Sequence, residues 1–416
     1  MQLKKWQHKL IVISLLVLIF GFTLVNLFSY SSQASSSLEQ RQLTQKPELT
    51  VPSVLSGQFM LELEDYFADH FAFRSLLVQA GAYLKEWKGI PGSEQAVLLQ
   101  QGSDNTVQKV GEASVSNQNN TQYLIYKDRA YTLYQYSPAA AEAYAEAINN
   151  FQQSADPELR VYSLLAPTSA EFIESEEYQE LTDSQAAAFN HVNEQLASEV
   201  GRVDVIDALQ QHTQENIYFR TDHHWTALGA YYAYTELMKS MGEEAIPLTS
   251  YTAGEMTNFL GSAYKATLNV QLKKAPDTIT YYEPLDDYTY TRHLTTGKTV
   301  TGQLVDPAYA TPANGLYAVF LGGDFPWGEI NTGHTNGKKI VVVKDSYGNA
   351  LIPFLLPHFE TVYYVDPRYF TGSLTEFVEE HGATDVLFLS SATATRTTGM
   401  AQLINQIAIG TENGNK

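Results

Sequence analysis

Lys338-Lys339-Ile340-Val341-Val342-Val343-Lys344-Asp345-Ser346-Tyr347-Gly348-Asn349 decides how this chain is read. Ile340 to Val343 form a run of β-branched residues, the pattern of a buried strand. The strand delivers Ser346 onto a tight Asp-Ser-Tyr-Gly turn, and the apolar run from Ala350 to Leu356 then reads as a helix. Nucleophiles of α/β enzymes often sit on such turns, where a helix N-terminus and free backbone N–H groups can receive an oxyanion. Around this unit the pattern alternates. Arg160–Leu165 reads as a strand, Asp183–Val200 as a helix and Val203–Ile206 as a strand. Thr361–Val365, Leu374–His381 and Asp385–Leu389 continue as strand, helix and strand, which predicts a parallel sheet flanked by helices.

A second stretch carries chemistry. Tyr218 to Ala230 reads Tyr-Phe-Arg-Thr-Asp-His-His-Trp-Thr-Ala-Leu-Gly-Ala, with a helix expected over Thr226–Met241. In an extended segment Asp222 and His224 project to one side, so the carboxylate can orient the imidazole. Ser346 as nucleophile, His224 as base and Asp222 as orienter would make a set assembled by the fold. Candidate oxyanion donors are the backbone N–H groups of Tyr347 and Gly348, or those of Gly322 and Gly323. Trp225, Arg368 and Tyr369 are candidate substrate-lining residues. A metal competes in principle, since Asp222, His223, His224 and His70 supply suitable atoms. Adjacent histidines on a strand point to opposite faces, however, and no third His stands at helical spacing beside them, so neither metal nor cofactor is expected.

These motifs resemble a known family. Asp222-His223-His224-Trp225 is the namesake pattern of the bacterial DHHW proteins, which are similar to the SGNH-hydrolase-like acetyltransferases of alginate O-acetylation. Asp65-Tyr66-Phe67, Asp69-His70-Phe71 with Arg74, Phe259-Leu260-Gly261-Ser262, Phe320-Leu321-Gly322-Gly323 and Val365-Asp366-Pro367-Arg368-Tyr369 extend the resemblance over most of the chain. It implies an SGNH-like α/β fold, with the family's Asp-x-His-Trp falling on Asp222, His224 and Trp225 and its serine on Ser346. His223 is then the variable position. It also implies acyl transfer through Ser346 to a hydroxyl of an extracellular polysaccharide, beside a membrane-bound acetyl donor. Esterase action and a non-catalytic carbohydrate-binding or scaffolding role stand as alternatives.

The remaining sequence bears on compartment. Lys4, Lys5 and Lys9 precede a run from Leu10 to Phe28 broken only by Ser14, Gly21, Thr23 and Asn26. Its length approaches the roughly 20 residues that span a bilayer, so residues 10–29 are expected to anchor the chain. The charge asymmetry places residues 1–9 in the cytoplasm and the rest outside. A signal peptide cut near Ser32-Gln33-Ala34 is the rival. The chain has no Cys, which excludes disulfides, thiolate-zinc sites and lipoprotein anchoring. A net charge of −20 argues against nucleic-acid binding.

Residues 30–52 read as a polar stalk before an extracellular domain over 53–410. Within that domain, Ser56–Trp87 has helical periodicity and residues 123–134 suggest a hairpin. Residues 250–335 suggest a β-rich insertion, with strands at Thr278–Tyr282 and Leu316–Phe320. Its aromatic rings have the amphipathic character of a sugar-stacking platform, although core packing is the reading that fits most of them.

Overall fold

The computed structural model describes residues 44–74, 122–311 and 315–409, together with isolated helix and strand positions before residue 122. The expected basic terminus, most of the anchor at 10–29 and part of the 30–52 stalk lie outside the described residues. Among the described residues, no helix is long and apolar enough to cross a membrane. The chain divides into two units, one formed by residues 1–90 with 311–315 and the other by 91–310 with 316–416.

In the first unit a helix over Gln58–His70 follows Gly57, which takes the left-handed conformation at φ 78°. The helix expected to run to Trp87 is interrupted at Phe71, whose backbone is extended, and helical positions resume at Arg74. Arg74 is the physical reason. Its Nε donates to Ala68 O at 2.8 Å and its guanidinium lies 3.8 Å from Asp69, so the chain folds back onto the carbonyls of the last turn.

The second unit is built on an eight-stranded sheet. In chain order its strands are β1 (Arg160–Ala166), β2 (Gly201–Val203), β3 (Tyr288–His293), β4 (Thr299–Gly302), β5 (Trp327–Thr332), β6 (Lys339–Lys344), β7 (Thr361–Val365) and β8 (Asp385–Ser391). Their spatial order is β4-β3-β5-β7-β6-β8-β1-β2. The five strands from β7 to β2 are parallel, as the alternation implied. The sheet as a whole is mixed, because β4, β3 and β5 join it antiparallel through the β5–β7 ladder. Three of the five strands within the expected β-rich insertion therefore extend the main sheet. Tyr290 on β3 and Tyr364 on β7 share a buried hydroxyl–hydroxyl bond of 2.7 Å across that extension. The run over Leu316–Val319 is a 3-10 turn rather than a strand. Ala253–Phe259 and Asp277–Tyr282 form a separate antiparallel ribbon.

Both faces of the parallel half are covered, which explains its unbroken apolar runs. Alternate residues enter opposite cores, as strand geometry requires. Ile340, Val342, Leu387 and Leu389 pack with the helix α3 (Ala227–Met241) and the segment 350–359. Val341, Val343, Val386 and Phe388 pack with α1 (Pro138–Ser154), α2 (Gln185–Gln195), α4 (Leu374–His381) and α5 (Gly399–Ile409). Here α2 is shorter than expected, and β2 ends at Val203 because Ile206 already opens a short helix. The hairpin Gln122–Tyr126/Arg129–Thr132 forms as anticipated, and its Tyr123, Ile125 and Ala130 pack on Ala263 and Tyr264.

Ser346 leaves β6 at the carboxyl edge of the parallel strands. The connection from β6 runs to β7 on one side, whereas that from β1 runs to β2 on the other. Oppositely directed connections mark the topological switch point, the usual ligand site of an open α/β sheet. The other half of the chemistry is set by α3. Thr226 is its N-cap, accepting from the Gly229 N–H at 3.2 Å and donating to Asn216 O at 2.6 Å, directly after Trp225. Thr226→Ala should lower the unfolding free energy by about 1 kcal/mol, seen as an earlier urea midpoint with an unchanged slope.

Candidate active site

The Asp222–Trp225 segment is the tip of a closed loop. Tyr218 and Trp225 pair as an antiparallel bridge, and the Thr226 N–H donates to Ile217 O at 2.9 Å. Asp277 staples the near side. Its carboxylate accepts from the Thr221 N–H at 2.8 Å and Thr221 Oγ1 at 2.7 Å, and pairs with Arg220 Nε at 3.2 Å. Arg129 of the hairpin donates to Tyr218 O at 3.1 Å. Indole Nε1 of the fully buried Trp225 donates to Tyr347 O at 3.0 Å, joining this loop to the turn after β6.

With both loops pinned, three side chains form one line. Ser346 Oγ lies 2.7 Å from His224 Nε2, and His224 Nδ1 lies 2.6 Å from Asp222 Oδ1. The carboxylate can only accept, so Nδ1 carries the proton and Nε2 is free to take one from the serine. Asp222 Oδ1 also accepts the His224 backbone N–H at 3.0 Å, and Oδ2 accepts the Ser262 N–H at 2.7 Å. Burial alone would neutralise this acid. His224, His223 and the hydrogen bonds from His224 and Ser262 outweigh burial and hold the Asp222 carboxyl far below the ordinary carboxylate range. Gly261 makes the approach of Ser262 possible, because a Cβ there would stand 2.2 Å from Asp222 Cβ.

The segment is a bend rather than a strand, and this changes the expected geometry. Asp222 reaches His224 because its carboxylate bonds the N–H two residues on, a local turn typical of Asp. The histidine rings do not point to opposite faces as adjacent strand residues would. They lie side by side with centroids 3.9 Å apart. Tyr317 stacks on the His224 ring at 4.0 Å and an interplanar angle of 5°. The Tyr317 hydroxyl is sealed from solvent and meets no hydrogen-bond partner among the described residues. Burial and the carboxylates of Asp222, Asp324 and Asp345 hold its pKa well above the ordinary phenol value.

The nucleophile turn is held from below. Asp345 accepts the Tyr347 N–H at 2.9 Å and the Ser391 N–H at 2.7 Å, tying the ends of β6 and β8 together. Lys344 is fully buried and donates to Asp324 at 3.0 Å, with Asp366 at 3.5 Å. Asn349 and Arg368 also donate to Asp324, at 2.9 and 2.8 Å. Burial opposes ionisation of Asp324, but Lys344, Arg368 and Asn349 prevail and depress its pKa strongly.

The structure thus brings Asp222, His224 and Ser346 together. Trp225 is packed in the core, where it positions the loop and lines no surface. Arg368 and Tyr369 are exposed, with the guanidinium paired to Asp366 and Asp324 and 5.3 Å from the Tyr369 ring. All four proposed oxyanion N–H groups are already donating. Tyr347 and Gly348 bond to Asp345, Gly322 to Ala318 O at 3.1 Å and Gly323 to Phe320 O at 3.3 Å. Sequence reasoning did not assign Tyr317, Asp324 or Asp345 to the site. Ser262 was visible only as part of the Phe259–Ser262 block. As possible metal ligands, Asp222, His223 and His224 present atoms within 4.8 Å of one another. Two of those atoms, Asp222 Oδ1 and His224 Nδ1, bond to each other, and His223 Nδ1 bonds to Ser262 Oγ at 2.6 Å, so the set is engaged as a hydrogen-bond network.

Fold and site together define an α/β protein that sets a Ser–His–Asp hydrogen-bonded chain at the carboxyl edge of a mixed sheet. The chain belongs to the DHHW protein family, which matches residues 98–365. A crystal structure of a DHHW family protein from Eubacterium siraeum is 32% identical with a TM-score of 0.64, covering 72% of this chain and 99% of that one. Bacillus cereus PatB1, solved with a sulfonyl adduct, has a similar fold at 19% identity and a TM-score of 0.57, over 68% of this chain and 97% of its own. The O-acetyltransferase domain of Pseudomonas putida AlgJ gives a TM-score of 0.39 at 14% identity, over 68% of this chain and 96% of that chain. No curated protein matches the sequence.

His223 sets a testable pH window. Burial and the neighbouring His224 lower its pKa from 6.5 to about 4, against the opposing pull of Asp222. As pH falls below 6.5 the unfolded chain takes up a proton that the folded site refuses until about pH 4, so stability should fall across that interval and then level off for this group. Replacing His223 with Gln should flatten the wild-type decline of urea midpoint over the same interval.

Proposed function

We propose that this protein is a membrane-anchored, extracellular SGNH-like acyltransferase that moves an acetyl group through Ser346 to a hydroxyl of a cell-surface polysaccharide. The carrying observation is the unbroken line from Ser346 Oγ through His224 to Asp222, at 2.7 and 2.6 Å. Attack by Oγ on a donor ester carbonyl forms the Oγ–C bond as the serine proton passes to His224 Nε2. Asp222 stabilises the imidazolium so formed without taking the proton itself. Collapse restores the carbonyl and expels the donor's alcohol, which leaves with the proton from Nε2. A sugar hydroxyl then repeats the sequence on the acyl-enzyme and regenerates the serine. Water in place of the sugar makes the same site an acetylesterase.

The remaining parts of the proposal rest on sequence. The apolar run at residues 10–29 would hold the domain outside the membrane, near a membrane-bound acetyl donor. The site's hydrogen-bonded chain is compatible with this chemistry without a cofactor.

Intact-mass measurement of the full-length chain after incubation with p-nitrophenyl acetate tests the reading. Wild type should gain an acetyl group on Ser346, and Ser346→Ala should not. His224→Ala or Asp222→Asn should slow acylation by roughly 10³-fold or more. Equal acetylation in all four proteins, or none in wild type, would exclude the serine mechanism and favour a non-catalytic carbohydrate-binding or scaffolding protein.

A further inference from the structure

His223 is not part of the Ser346–His224–Asp222 line, yet it is tightly held beside it. Ser262 Oγ bonds its Nδ1 at 2.6 Å and receives its backbone N–H at 3.4 Å, while its carbonyl accepts the Tyr347 hydroxyl. Nδ1 of His223 lies 3.8 Å from Asp222 Oδ1, the oxygen that bonds His224 Nδ1 at 2.6 Å. The two ring centroids are 3.9 Å apart, and both rings turn Nδ1 towards one carboxylate oxygen. His224 Nε2 lies 2.7 Å from Ser346 Oγ. The two rings differ in access, with 37% of the His223 side chain exposed against 8% for His224.

The nearby carboxylate favours the proton on Nδ1 of His223, where Ser262 Oγ can accept it, and this leaves Nε2 as a bare acceptor. The same ring remains uncharged near neutrality, with its pKa lowered to about 4 by burial and by His224. Among the described residues the hydrogen bonds of His223 are made by Nδ1 and by its backbone, so Nε2 has no assigned work in acyl transfer.

We propose that His223 Nε2 forms an acceptor subsite selecting sugars with two neighbouring free hydroxyls, one reacting at Ser346 and the other donating a hydrogen bond to His223. This rests on the acyl-transfer reading. With the two imidazole centroids 3.9 Å apart, adjacent hydroxyls of one pyranose ring can reach both histidines. In the transfer step the first hydroxyl oxygen bonds to the acyl carbon as its proton passes to His224 Nε2. The acyl carbon then releases Ser346 Oγ, which takes that proton back. The second hydroxyl keeps its proton throughout and holds the ring in register. An acceptor lacking it leaves Nε2 unpaired against the bound sugar, which is how buried polar groups reject near-isosteric substrates.

The test uses the full-length chain, p-nitrophenyl acetate as donor, and two acceptors compared in each preparation. One is a methyl glycoside with adjacent free hydroxyls, and the other is the same glycoside with one of them replaced by hydrogen. Wild type should acetylate the diol at least roughly ten-fold faster than the deoxy sugar. In His223→Phe, which keeps a stacked ring but no acceptor, that ratio should fall to about one. His223→Leu serves if the Phe variant does not fold, and His223→Gln, whose amide oxygen can accept, should recover part of the preference. A wild type without preference, or a Phe or Leu variant that retains the wild-type ratio, would overturn the subsite. Failure of the underlying reading is seen separately, before acceptor is added, as a Ser346 that takes up no acyl group.

Discussion

A buried negative charge governs the site. The Asp222 carboxylate sits almost out of solvent, and its ionised form persists only because His224 and the Ser262 N–H supply its hydrogen bonds. Satisfying it requires two separated pieces of chain. The loop tip contributes the acid and the base, and the start of the Ser262–Thr267 helix contributes the third donor. Gly261 leaves room for that donor to approach. An unpaired buried carboxylate would cost several kcal/mol or would neutralise. The demand for partners therefore orders the loops as much as the loops place the acid.

A second buried charge performs the corresponding task under the nucleophile. Lys344 ends β6 inside the protein, and Asp324 gathers Lys344, Asn349 and Arg368 around one carboxylate. Asp345 binds the ends of β6 and β8 through the Tyr347 and Ser391 N–H groups. The serine is thus presented by a turn whose backbone donors are largely spent on structure. That is why the Tyr347 and Gly348 N–H groups expected to receive an oxyanion are already engaged with Asp345.

Much of the fold was legible because its signals are local. The β-branched run before Ser346, the hairpin around Lys127-Asp128-Arg129 and the helix at Leu374–His381 are all where residue pattern puts them. The partners of strands are not local. The ladder between β5 and β7 depends on Trp327 to Thr332 meeting Thr361 to Val365, and neither sequence says whether an additional strand enters parallel or antiparallel. The Leu316–Val319 turn has strand-like composition, but its residues pack around the His224 ring and the neighbouring core instead of alternating between faces.

For the site, the sequence by itself determined the chemical types and their order. An Asp and His two residues apart, with a distant Ser on a turn after a buried strand, could be named without coordinates. Tertiary structure decided how those residues meet: His224 facing Ser346 across a separation of 122 residues, Tyr317 lying flat against the base, and Ser262 serving both Asp222 and His223. It also decided that His223 and His224 lie side by side, because a bend rather than a strand carries them. The physical reason is common to these cases. Residue pattern reports local backbone preference, whereas hydrogen bonds to buried charges are made by whichever distant groups packing brings within reach.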